Sequence, residues 1–77
     1  RLDAQLHAVA ELEARIAALE AEQKRVEALL ADDSVYADAA RSRELLSAYQ
    51  LGREKIEELM ARWARAQGEL RVLEPST

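Results

Sequence analysis

The stretch LLSAYQLGREKIEELMARWARAQGELRVL, residues 45–73, decides the fold. Within it large side chains return at alternating spacings of four and three: Leu45, Tyr49, Ile56, Leu59, Trp63, Leu70 and Leu73, with Gly52 and Ala66 in two weak slots. A period of about 3.5 residues belongs to a helix that lays one narrow stripe against another helix. One such stripe is half a structure. The upstream segment supplies the other half with the same alternation, in Val9, Leu12, Ile16, Leu19, Gln23, Val26 and Leu30.

Between the two stripes the periodicity stops at ADDSVYAD, residues 31–38, a run of residues that cap helices or form turns. Asp38 suits the N-cap of the second helix, and Asp33 or Ser34 suits the cap of one short turn carrying Val35 and Tyr36. The expected fold is all-α: a two-helix antiparallel coiled-coil hairpin with helix 2–31, bend 32–38, helix 39–73 and a frayed tail 74–77. The tail frays because Pro75 disfavours helical geometry at Glu74. Nothing between Leu2 and Leu30 breaks a helix, although Leu2 and Leu6 sit out of phase with the stripe.

Folding back about this bend pairs positions whose numbers add to 71 or 72. Val26 then faces Leu45, Leu19 faces Gly52, Ile16 faces Ile56 and Val9 faces Trp63. In this register Gly52 gives Leu19 room, Gln23 comes within reach of the Tyr49 hydroxyl, and Tyr36 closes the bend on Leu29, Leu30 and Leu45. Two helices of about 30 residues make a rod of about 45 Å.

Composition agrees with long helices. Of 77 residues 34% are charged and 49% apolar, yet there is no Phe, one Trp, two Gly and one Pro. A single domain of this size has a small core and is marginally stable alone. The absence of Cys rules out disulfides and thiolate chemistry, and it fits a reducing, cytoplasmic setting. No apolar run reaches the roughly 20 residues of a membrane span. The chain opens in mid-pattern without Met, as expected of a domain excised from a larger protein. A net charge of −4 disfavours tight non-specific nucleic-acid binding but leaves room for a local basic face.

The register predicts such a face. Arg15 lies beside Lys55 and Ala8 beside Arg62, with Arg41 nearer the bend, while Glu13, Glu20 and Glu27 share the other edge with Leu46, Arg53 and Met60. The simplest account of both edges is ordinary solvated surface, with Glu11–Arg15 and Glu58–Arg62 pairing four residues apart.

No catalytic constellation is visible. His7 is the only histidine, and with Asp3 as its one convenient partner it makes no zinc site. Glu54, Glu57 and Glu58 lie on a polar face; Ser34, Ser42 and Ser47 have no general base nearby; no Gly-rich phosphate loop exists. The domain reads as non-enzymatic, with no cofactor or metal of its own.

The runs LEARIAALEAEQKRVEALLADDSVYAD (12–38), RELLSAY (43–49) and EELMARWARAQGEL (57–70) resemble the C-terminal coiled-coil domain of ABC-F ATP-binding cassette ATPases, in particular the Uup-like branch. The residues that carry the resemblance are Leu30, Ala31, Asp32 and Tyr36 to Asp38 at the bend, and Glu57 to Leu59 with Arg62 and Trp63 in the second helix. Ser34 stands where that family often has Pro, and Ala64 and Arg65 follow Trp63 where acidic residues are common. The resemblance implies an arm appended to tandem cassettes that bind ATP, in proteins acting in translation on the ribosome. It further implies contact with DNA or ribosomal RNA, weak in the isolated arm, for which Lys55, Arg62, Arg65 and Arg15, with Arg41 and Arg43 near the tip, are the candidate phosphate contacts. A slighter likeness is to the N-terminal helical hairpin of bacterial peptide chain release factors. The rival reading from the residues alone is a structural or protein-docking coiled coil that pairs with a partner helix or forms a homodimer through Leu46, Met60 and the seam.

Overall fold

A computed structural model describes residues 2–73. The expected tail, 74–77, lies outside the described residues. Helix α1 spans Leu2–Leu30, α2 Asp33–Tyr36 and α3 Ala39–Leu73, and no strand occurs among the described residues. The fold is all-α. The two long helices pack along their length into a body with principal extents of 59 × 17 × 15 Å, longer than the expected 45 Å because α3 alone contributes about 52 Å at about 1.5 Å per residue.

The two helices run in opposite directions, because contacts that step up α1 step down α3: Gln5 meets Glu69, Glu13 meets Trp63, Gln23 and Glu27 meet Tyr49. Every seam position named from the sequence is buried or half-buried. The fully buried set is small: Val9, Val26, Leu45, Leu59 and Leu70, with Leu59 the most enclosed at 1% exposure. Two cylinders share only a line of contact, so the chain exposes 5848 Å² where a compact protein of 8.6 kDa exposes about 4,700 Å². Few side chains therefore carry most of the apolar burial.

The reversal is built from carboxylate caps rather than glycine. No described residue adopts positive φ. The Ala31 amide bonds the Glu27 carbonyl at 3.0 Å and the Asp32 amide tightens onto Leu29 at 3.1 Å, which ends α1. Asp32, with φ −83° and ψ 120°, then caps α2, its carboxylate accepting from the Ser34 amide (2.9 Å) and hydroxyl (2.8 Å). The cap is Asp32, not Asp33 or Ser34, because only the residue before the turn has extended backbone and can aim its carboxylate at the free amide two residues on. Those two bonds hold its carboxyl below the usual carboxylate range, the Ser34 hydroxyl contributing most. Asp38 caps α3 as expected, accepting from the Arg41 amide at 3.1 Å while its carbonyl takes Ser42 at 2.9 Å.

Two packing expectations are corrected. Tyr36 is 59% exposed and does not close the bend; Val35, one residue earlier on the same single turn, is the half-buried one. Gly52 makes room for Gln23, not Leu19: a Cβ there would collide with the Gln23 amide, lying 2.7 Å from its Cδ. Gln23 Nε2 donates to the Tyr49 backbone carbonyl at 2.9 Å, and the Tyr49 hydroxyl turns instead to Glu27 Oε1 at 2.7 Å. The cause is the lean of helical side chains towards the N-terminus of their own helix. In an antiparallel pair the two leans oppose, so side-chain tips meet between residues whose numbers add to 74 (Gln5–Glu69) or 76 (Glu13–Trp63, Glu27–Tyr49), beyond the expected 71 or 72.

Candidate nucleic-acid interface

The two edges of the seam follow from simple offsets. Arg15, Lys55 and Arg62 each come one residue before a seam position (Ile16, Ile56, Trp63), and Arg41 comes one before Ser42, a half-buried residue that extends the stripe three residues back from Leu45; Glu13, Glu20, Glu27, Leu46, Arg53 and Met60 each come one residue after a seam position. On a helix those offsets fall on opposite sides of the stripe, and in an antiparallel pair like flanks meet. The geometry agrees. Glu13 accepts from Trp63 Nε1 at 3.2 Å, Glu27 accepts from the Tyr49 hydroxyl, and Glu20 lies between them across from Arg53 and Met60. The Tyr49 phenol is raised above its ordinary value near 10, first by this bond to Glu27 and then by the carboxylate's charge.

The opposite edge holds four of the six candidate phosphate contacts, all exposed. No carboxylate of the described residues lies within ion-pair distance of Arg15 or Lys55. Arg62 bonds Glu58 at 2.8 Å, as the spacing predicts, and Arg41 stands 3.9 Å from Glu44. The expected Glu11–Arg15 pair does not form; Glu11 lies instead 3.7 Å from His7, one turn earlier. These pairs are half or more exposed, and such pairs are worth little, so they leave the cations able to exchange a carboxylate for a phosphate. Arg65 and Arg43 stand apart from this edge. Arg65 lies two residues past the seam position Trp63 and Arg43 two residues before the seam position Leu45, which puts both towards the outer face of α3; Arg43 Nε leans on the Ala39 carbonyl at 3.4 Å. Along α3 the edge cations Arg41, Lys55 and Arg62 step by about 21 and about 10 Å.

Of the other charged groups, Glu22 and Arg25 form a two-bond pair (2.6 and 3.0 Å) that lowers the carboxyl and raises the guanidinium. This occupies the acidic group nearest Arg15 on the basic edge. His7 has Glu11 at 3.7 Å, and among the described residues no three His, Asp or Glu side chains come close enough to hold a metal ion. The sequence places Glu13 and Glu27 on this edge but does not show that they are anchored. Their heptad spacing from each other was visible, but the aromatic donors that hold them come from the other helix.

The sequence itself is matched by a known family. The sequence pattern of the ABC transporter C-terminal domain covers residues 4–66. The chain belongs to that family. It is a C-terminal domain of an ABC-family protein, and the matched span runs from the first turn of α1 through the bend to Ala66 in α3. No match was found among curated proteins or among solved structures. No helix of this ABC-family domain is long and apolar enough to cross a membrane, among the described residues.

Proposed function

We propose that this ABC-family domain is the antiparallel coiled-coil arm of a Uup-like ABC-F ATPase, non-catalytic itself, contacting ribosomal RNA or DNA along its basic edge. In the whole protein the cassettes bind and hydrolyse ATP in the cytoplasm, and the arm reaches the ribosome or a nucleic acid near it. The family match supports the attachment to cassettes, and it favours this reading over the release-factor likeness. One observation carries the nucleic-acid part: Arg15, Arg41, Lys55 and Arg62 share one edge of the rod with two glutamates, Glu22 and Glu69, that are bonded to Arg25 and Gln5, while Glu13, Glu20 and Glu27 share the other edge with Arg53. In a chain of net charge −4, an edge that carries four of the eleven Lys and Arg residues is the side that best meets a polyanion. A rod is also suited to the work, because its length carries contacts well away from the body it is attached to.

The test is titration of the 77-residue domain with labelled double-stranded DNA, single-stranded DNA and structured RNA at low and physiological salt. Micromolar binding whose logarithm falls linearly with log salt is expected. Lys55→Glu with Arg62→Glu should weaken it and flatten the slope by about one unit for each phosphate no longer neutralised. An unchanged slope removes the basic edge from the interface.

A further inference from the structure

We propose that the opposite, acidic edge is a second docking groove, one that receives a basic amphipathic helix of a partner protein. Between the helices on that side a shallow hollow of about 250 Å³ is lined by Ile16, Met60, Trp63, Glu13 and Glu20. Its floor is apolar, and two carboxylates stand at its rim. Met60 is 50% exposed there, and Leu46, two heptads towards the bend on the same edge, is 49% exposed. An unbranched thioether adapts to the shape of whatever covers it.

The groove continues past Glu20 into a second hollow that reaches Glu27, where Lys24 and Arg53 also stand. Two of the three glutamates are held in place by the seam: Glu13 by the Trp63 indole at 3.2 Å and Glu27 by the Tyr49 hydroxyl at 2.7 Å. Each is thereby held at the groove with acceptor capacity left over, since an ionised carboxylate offers about four acceptor sites. Glu20, midway, has no hydrogen bond or ion pair to any described residue.

Charge selects the occupant. A nucleic acid or an anionic lipid surface is repelled by this row. A second copy related by a twofold axis would bring its own three glutamates onto this same patch, because an isologous contact buries the same surface of both subunits. A helix with apolar side chains for the hollow and Lys or Arg one heptad apart on its flanks satisfies both the floor and the rim, its cationic stems lying on Met60 and their heads on the glutamates. The row from Glu13 to Glu27 spans about 21 Å, or about four turns of such a helix. Binding here leaves the basic edge free.

The probe is a dye-labelled synthetic helix of about 21 residues with Leu at seam spacing and Arg at flanking heptad positions, set against a scrambled peptide of identical composition. Anisotropy titrations of the 77-residue chain should show the amphipathic peptide binding at least about tenfold more tightly than the scrambled one. Glu20→Gln and Met60→Ser should each weaken it about fivefold or more, and Glu54→Gln, on the outer face of α3, less than about twofold. Circular dichroism checks that the variants fold, and Met60→Gln serves as the second variant at that site. Equal binding of the scrambled peptide, or an equal loss in Glu54→Gln, would reduce the effect to net charge and overturn the proposal. So would sedimentation of the chain as a dimer that Met60→Ser dissociates, which would give the groove to a second copy.

Discussion

Gln23 donates its side-chain amide to the Tyr49 carbonyl at 2.9 Å and occupies the space that a side chain at Gly52 would fill. The two positions are therefore coupled. Replacing Gly by Ala in a helix interior normally gains about 1 kcal/mol. Here the new methyl pushes the Gln23 amide off its acceptor, at a cost of about 1 kcal/mol for the broken bond. Gly52→Ala alone should leave stability nearly unchanged, whereas in a Gln23→Ala background it should stabilise by about 1 kcal/mol. Urea denaturation of the four-member cycle reads the coupling, and simple additivity would show that the two side chains act independently.

Leu59 and Met60 are neighbours in sequence with opposite environments, at 1% and 50% exposure. Leu59→Ala removes the best-enclosed side chain of a thin core and should cost about 2–5 kcal/mol, enough to unfold much of the population at room temperature. Met60→Ala should cost less than about 0.5 kcal/mol. Trp63, on the seam one turn on from Leu59, gives the fluorescence signal for both.

The bend depends on its two aspartates. Asp38→Ala frees the Arg41 amide at the start of α3 and should destabilise the hairpin by about 1 kcal/mol, with Asp38→Asn close to the parent. Thermal denaturation followed by circular dichroism measures it. Equal stability of all three would mean that packing alone sets the turn.

Acid and alkali should act through different groups. The Asp32 carboxyl is lowered in the fold by Ser34, so its contribution is present above its unfolded value, near 3.8, and is lost as pH falls through the lower folded value. Ser34→Ala removes the larger cause and should flatten the acid limb of a stability–pH curve. The Tyr49 phenol is raised by Glu27, so its contribution is present up to about pH 10 and is lost as pH rises through the higher folded value. With Tyr36→Phe leaving one tyrosine, absorbance titration should show Tyr49 ionising later than a free phenol, and Glu27→Gln should bring it back. An unshifted Tyr49 would break the assigned bond.

What repeats locally was legible in the sequence. The alternation of four and three marked every seam position from Val9 to Leu73, the capping residues placed the bend, and Asp38 was legible as a cap, because periodicity, propensity and capping are properties of a few consecutive residues. It also separated the two edges, since in a heptad the residue before one class of seam position and the residue after the other class flank the seam on opposite sides. Tertiary structure alone decided which tips meet. The lean of side chains on oppositely directed helices moved Gln23 onto Gly52 and the Tyr49 carbonyl, and gave Glu13 and Glu27 their aromatic donors. On a single turn such as α2, rotation about the axis chose Val35 over Tyr36 for the interior, and a periodicity needs more than one turn before it can show that choice.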